Sequence, residues 1–168
     1  ARSRLRALNS NIDIQTHAAR LDDTNAATLL AKSDIVLDCT DNFQTRYLLN
    51  DLSMVLKKPL VSASVQGFLG QLATFKPYLG DAHACYRCVF PQTPPKGMVP
   101  SCPEAGVFGP VVGILGVMQA AEALKELAGI GAKNTSLLML DTQIMQCKTI
   151  HVAKNPTCPT CAAKGSKP

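Results

Sequence analysis

Long apolar runs are missing from this sequence. No stretch reaches the roughly 18 uninterrupted apolar residues of a membrane span, although 46% of the 168 residues are hydrophobic. The longest apolar region, "GVFGPVVGILGVMQAAEAL", is broken by glycines and a proline and ends in charges, so it reads as a buried helix. No basic n-region followed by an apolar h-region opens the chain, which points away from secretion and towards the cytoplasm. Aromatic residues are scarce at 5%, and tryptophan is absent. Charge of a single sign is also missing from the middle of the chain. The net charge of +5 gathers at the ends: Arg2, Arg4, Arg6 and Arg20 against Asp13 in residues 1–20, and Lys148, Lys154, Lys164 and Lys167 with no acid in residues 145–168. No aromatic residue interleaves with either basic end, so the stacking platform of a nucleic-acid binder is lacking. These ends read as a solvated helix face and a loose tail. The composition is that of a globular domain, and the length suffices for one sizeable core.

The seven cysteines, an odd number in a chain without secretory features, do not make a disulfide framework. Four of them form two pairs of identical spacing, Cys85 and Cys88 in "ACYRCVF" and Cys158 and Cys161 in "PTCPTCA". Each pair can supply two sulfurs from one tight turn, and two pairs complete a tetrahedral, fully occupied zinc site. A redox motif would occur once, at the start of a helix, rather than twice. The 69 residues between the pairs would make such a site a clamp between the C-terminal segment and the middle of the domain. Cys39 and Cys147 lie in strand-like runs and read as small buried hydrophobes. Cys102 stands in a loop before a helix start, where it is either a nucleophile or an incidental thiol. His17, His83 and His151 show no ligand-like spacing and read as ordinary surface or strand residues.

Along the chain, "ARSRLRALNSNIDIQTH" reads as the last turns of a helix running into a strand at "IDIQTH". "DDTNAATLLAKS" reads as a helix with Asp or Thr as its cap. "DIVLDCT" is a short, nearly continuous apolar run, the pattern of a strand buried on both faces. "NFQTRYLLNDLSMVLKK" reads as a helix and "PLVSASV" as the next strand, which together give a parallel crossover unit. "GQLATFKP" alternates as a half-exposed strand, and "ACYRCVF" continues it as a hairpin. Residues 91–106, with five prolines, read as a flexible loop and 162–168 as a disordered tail. Pro110 suits the first turn of a helix that stops at Gly129. "SLLMLDT" and "CKTIHVA" form a terminal strand pair. The fold class is α/β, with a Rossmann-like mixed sheet. Asp38 and Asp41 in "DCTDN" fall at the carboxyl end of a strand, where α/β sheets bind ligands. A carboxylate there can hold Mg²⁺ or cap the next helix.

The stretches "DIVLDCTDNFQTRYLLND", "PLVSASVQGFLGQLATF", "CYRCVFP", "AGVFGPVVGILGVMQAAEALKELAG" and "NPTCPTC" occur in this order in the ThiF/MoeB/HesA family, bacterial relatives of the ubiquitin-activating enzymes, and the chain resembles that family over nearly its whole length. "SASVQGFLGQL" and "GPVVGILG" are more similar to ThiF than to MoeB. The resemblance implies an adenylyltransferase that uses ATP and Mg²⁺ to activate the C-terminal glycine of a ThiS/MoaD-like sulfur-carrier protein, in thiamine thiazole biosynthesis if ThiF-like and for molybdopterin synthase if MoeB-like. It implies that Asp41 holds Mg²⁺ and that Asn42 belongs to the nucleotide site. It also implies that Cys85, Cys88, Cys158 and Cys161 bind zinc, and that Cys102 is the loop cysteine that can bond to the carrier or its sulfur. A homodimer is the family's usual state. The family's N-terminal half, with its G-x-G-x-x-G phosphate loop, does not occur in these residues. They read as the C-terminal part of a longer enzyme, inactive alone. The other reading is a non-catalytic, zinc-stabilised binding module.

Overall fold

In the computed structural model the described residues are 1–95, 97, 102–131 and 135–162, with backbone only at Cys102 and Pro103. Helix α1 (Arg2–Leu8) buries none of its residues. "IDIQTH" is not a strand: no ladder forms there among the described residues, and residues 13–18 carry no regular structure. Helix α2 is short (Ala26–Leu30), and neither Asp nor Thr caps it. Asp22 instead holds the turn before it, accepting from the Thr24 N–H at 2.9 Å.

Strand β1 (Val36–Asp38) and strand β2 (Leu60–Gln66) pair in parallel, joined by helix α3 (Phe43–Val55). The crossover unit expected from "DIVLDCT…PLVSASV" is present. Strand β3 (Leu69–Phe75) turns back on β2 through Gly67, whose left-handed φ of 56° favours glycine. Strands β4 (Ser136–Asp141) and β5 (Gln146–His151) extend the sheet, with all pairings beyond β2 antiparallel. Among the described residues the sheet is five-stranded and mixed, in the order β1-β2-β3-β4-β5.

The pleat sends successive side chains to opposite faces. Leu60 and Val61, both fully buried neighbours on β2, therefore serve two cores. One contains Val36, Leu49, Leu60, Phe75 and Tyr86. The other lies under helix α6 (Gly109–Leu127) and contains Val61, Leu72, Val111 and Leu115. Each such buried side chain contributes about 1.5–3 kcal/mol relative to exposure. β3 is central and largely buried, not the half-exposed strand expected, because Ala73 and Phe75 enter one core and Leu72 the other, so both of its faces are covered.

The edge strands reverse two further expectations. β1 is buried on one face only, with Leu37 exposed, and Cys39 just beyond it is exposed. β5 is exposed along its length, Cys147 included. Neither cysteine is a core residue, because each belongs to the rim of the sheet rather than to its middle.

"ACYRCVF" forms the one-turn helix α4 (Tyr86–Val89), not a hairpin strand. Residues 91–95 carry no regular structure. The 91–106 segment also includes a one-turn helix, α5 (Cys102–Ala105). Its residues 96 and 98–101, and residues 163–168 of the expected tail, lie outside the described residues. Helix α6 (Gly109–Leu127) begins with Pro110 in its first turn and ends before Gly129 at φ 73°. It is not a buried helix. One face packs on the sheet, while Val117 and Leu124 on the other are 73% and 68% exposed. His83 is buried rather than superficial, and its Nδ1 has no hydrogen-bond partner among the described residues.

Candidate functional site

The carboxyl end of β1 carries two aspartates with opposite circumstances. Asp38 is fully buried. Its Oδ1 accepts from the Thr40 N–H and hydroxyl at 2.9 and 2.7 Å, and its Oδ2 accepts from the Ser62 hydroxyl at 2.8 Å. Arg46 Nε lies 3.9 Å from Oδ2. Three protein hydrogen bonds and the nearby guanidinium hold this buried carboxylate in place. Asp41 is exposed on the rim, its carboxylate open to an incoming group. Neither aspartate caps α3. Asn42 does, its Oδ1 accepting from the Thr45 N–H at 2.9 Å. The cap uses the amide oxygen and not the Nδ2 donor.

Gln119 of α6 completes this edge. Its Nε2 donates to the carbonyls of Asp38 and Val61, both at 2.9 Å, and its Oε1 accepts from the Cys39 thiol at 3.2 Å. Burial and the neighbouring Asp38 carboxylate push the Cys39 thiol above its ordinary pKa, outweighing the Gln119 bond. Gln119, Ser62 and Arg46 were not legible as site residues, since only the fold brings three separate elements to the end of β1.

The second site is built by α4 and the chain's last described turn. Cys85 is the residue before α4, and the Cys88 N–H donates to its carbonyl at 3.0 Å, so both sulfurs leave one turn. Cys158 and Cys161 leave another, in which the Cys158 N–H donates to the Asn155 carbonyl at 3.0 Å. Cys85 Sγ lies 3.8 Å from Cys88 Sγ and 3.5 Å from Cys158 Sγ, and Cys88 Sγ lies 3.4 Å from Cys161 Sγ. All four sulfurs fall within 4.8 Å of one another. A tetrahedral ion with metal–sulfur bonds of about 2.3 Å needs sulfurs about 3.8 Å apart. The arrangement fits that requirement, and all four positions are supplied by protein.

The electrostatics agree with the geometry. Burial pushes the Cys85 thiol far above the usual thiol range and Cys161 up to about 12. At Cys158 burial also pushes upward, but N–H groups of Cys161 and Thr160 outweigh it and bring the thiol down to about 7. The Asn155 N–H likewise donates to Cys88 Sγ at 3.4 Å. Four crowded sulfurs do not ionise together unless a cation compensates them, and a divalent metal supplies that charge.

α3 connects the two sites. Asn50, fully buried, accepts from the Tyr86 N–H at 2.8 Å. Next to it, Asp51 accepts from Arg87 and Thr160. Burial raises the Asp51 carboxyl, but Arg87, Asn50 and Thr160 together hold it below the ordinary value. Arg87 and Thr160 occupy the third positions of the two Cys-x-x-Cys motifs, a coincidence visible in the sequence once the motifs are aligned. Cys102 opens α5, and of its side chain nothing is described.

Residues 1–160 match the family model described as the ThiF family. The chain belongs to the ThiF family. Among curated ThiF-type relatives, it is 46% identical over 164 residues to "Sulfur carrier protein adenylyltransferase" of Thermus thermophilus, covering 96% of this chain and 60% of that protein. It is 41% identical over 162 residues to the "SAMP-activating enzyme E1" of Haloferax volcanii, covering 96% of this chain and 58% of that protein. The ThiF-family chain thus spans about three-fifths of the length of these two relatives. Among solved structures it superposes on Escherichia coli MccB with a TM-score of 0.77 at 14% identity, covering 99% of this chain and 50% of that one. The last likeness establishes that the sheet and helices are those of the ThiF-type fold. Among the described residues, no helix is long and apolar enough to cross a membrane.

Proposed function

We propose that the chain forms part of an ATP-dependent adenylyltransferase that activates the C-terminal glycine of a ThiS/MoaD-like sulfur-carrier protein. The observation that carries this reading is the 46% identity to the Thermus adenylyltransferase across 96% of the chain. The geometry supports it at the residues that matter. Asp41 presents a free carboxylate at the end of β1, suited to hold Mg²⁺, while Asp38 is committed to holding the backbone. Asn42 fixes the start of α3 and keeps its amide donor for the nucleotide. A carboxylate is a poor electrophile; joining it to AMP supplies a leaving group, and Mg²⁺ offsets the phosphate charge. In this reading the four cysteines hold structural zinc, and Cys102 serves later, in sulfur transfer. The likeness of "SASVQGFLGQL" to ThiF favours the thiamine pathway. A homodimer and a cytoplasmic location, where free thiols are the rule, belong to the same reading.

The test is carrier-dependent ATP–pyrophosphate exchange, in a polypeptide of the relatives' full length that carries this chain. Asp41→Ala is expected to cut exchange by about 100-fold or more, a loss of the size seen when a charge-stabilising group is removed. Exchange within threefold of the wild type would remove Asp41 from the site. Absence of exchange with every ThiS- or MoaD-like carrier, in zinc-loaded protein, would overturn the function.

A further inference from the structure

We propose that Asp51 is the positioning residue of the four-cysteine centre, a single carboxylate that sets the spacing of both cysteine pairs without touching the metal. The inference rests on the metal-binding reading and extends it to the residues outside the sulfur shell. From the first pair, the Arg87 guanidinium makes a two-pronged bond: Nε to Oδ1 at 3.2 Å and Nη2 to Oδ2 at 2.9 Å. From the second pair, the Thr160 hydroxyl donates to Oδ1 at 3.1 Å. The Asn50 side-chain amide donates to the same Oδ1 at 2.9 Å.

Three features separate this arrangement from an ordinary surface ion pair. Arg87 is held from its other side, stacked 4.2 Å over the Tyr47 ring, and Tyr47 donates to the Phe90 carbonyl at 3.0 Å. The ring thus backs the guanidinium on the face away from its other contacts and narrows its orientation. Asp51 also sits on the longest helix of its side of the sheet, beside the buried Asn50 that grips the Tyr86 N–H. Finally, its two partners come from motifs 69 residues apart, and among the described residues Asp51 alone bonds to the side chains inside both. An Arg–carboxylate pair this open to solvent adds little to stability. What it does add is geometry. Partners outside the ligand shell that orient the ligands are typically worth about 10- to 100-fold in metal affinity.

The experiment measures zinc release from the metal-loaded protein to a chromogenic chelator, with cobalt-substituted protein reporting the geometry through its sulfur-to-metal absorption. Asp51→Asn removes the charge that holds Arg87, and Thr160→Val removes the bond from the second cysteine pair. Each is expected to release zinc about tenfold faster and to alter the cobalt spectrum. Thr160→Ser keeps the hydroxyl and should match the wild type. Leu49→Val, on the same helix but in the core, controls for lost stability and should leave release within twofold at an equal or larger drop in Tm. Release from Asp51→Asn at the wild-type rate overturns the proposal, as does equal acceleration by Leu49→Val. If Asp51→Asn does not fold, Thr160→Val against Thr160→Ser decides the matter by the same criterion. Wild-type protein that takes up no metal overturns both this inference and the metal reading; tight binding that Asp51 and Thr160 do not influence overturns this inference alone.

Discussion

The Gln119 side chain on α6 donates to the backbone carbonyl of Asp38 at 2.9 Å, across 81 positions of sequence. The same Nε2 reaches Val61, so one amide joins α6 to the carboxyl end of β1 and to the start of the parallel strand β2 beside it. Gln119→Leu would leave both carbonyls buried without this partner. We expect a loss of about 1–3 kcal/mol in chemical denaturation, from two lost hydrogen bonds at about 0.5–1.5 kcal/mol each. A loss below 0.5 kcal/mol would mean that the amide is dispensable.

Removal of the metal should cost far more than removal of any one hydrogen bond. Because ligation of the C-terminal turn to α4 is folding free energy, Cys158→Ala, or chelation of the wild type, is expected to lower Tm by about 10 °C or more. Thermal scans with and without chelator would show it. Coincident melting curves would mean that the turn carrying Cys158 and Cys161 is held by other contacts.

Asn42→Ala removes the cap of α3 and should cost about 1 kcal/mol, or roughly 2–4 °C in Tm. Asn42→Asp keeps the acceptor and should keep the stability, while losing the Nδ2 donor. Paired with the exchange assay, these two variants separate the helix cap from nucleotide binding. Equal stability of Asn42→Ala and the wild type would contradict the cap.

Cys39 is exposed yet has a raised pKa, and the sign of the consequence follows. The thiolate is the reactive form, so a higher pKa leaves less of it at neutral pH. Alkylation of Cys39 in the folded, metal-loaded protein should therefore rise through a midpoint above its ordinary value of 9.0. Mass spectrometry of a pH series of iodoacetamide labelling would measure it. A midpoint near 8 would show an activated thiol instead.

Local chemistry made part of this molecule readable in advance. Pro110 and Gly129 marked the ends of α6 because each acts within a turn of its own position, and the repeated Cys-x-x-Cys spacing marked the two halves of the four-cysteine cluster. "ACYRCVF" was misread because one turn of helix and a short strand cannot be told apart by periodicity over so few residues. Cys39 and Cys147 were misplaced for another reason. Whether a strand lies at the edge depends on its neighbours in the sheet, and no property of "DIVLDCT" or "CKTIHVA" specifies that. Asp51 and Gln119 were invisible alone, since their partners lie far off in the chain.

α3 is fastened at both ends, by the Asn42 cap at β1 and by Asp51 at the cysteine turns. That makes its length a ruler. One residue inserted between Phe43 and Asp51 would advance the far half by about 1.5 Å and rotate it by about 100°. Asp51 would then point away from Arg87, or the cap would leave the end of β1. Substitutions along the exposed side of this helix are a matter of fractions of a kcal/mol, whereas a change of register would uncouple the end of β1 from the cysteine turns in one step. The spacing between "DN" and "ND" is therefore a constraint of its own kind, indifferent to which side chains fill it and intolerant of how many there are.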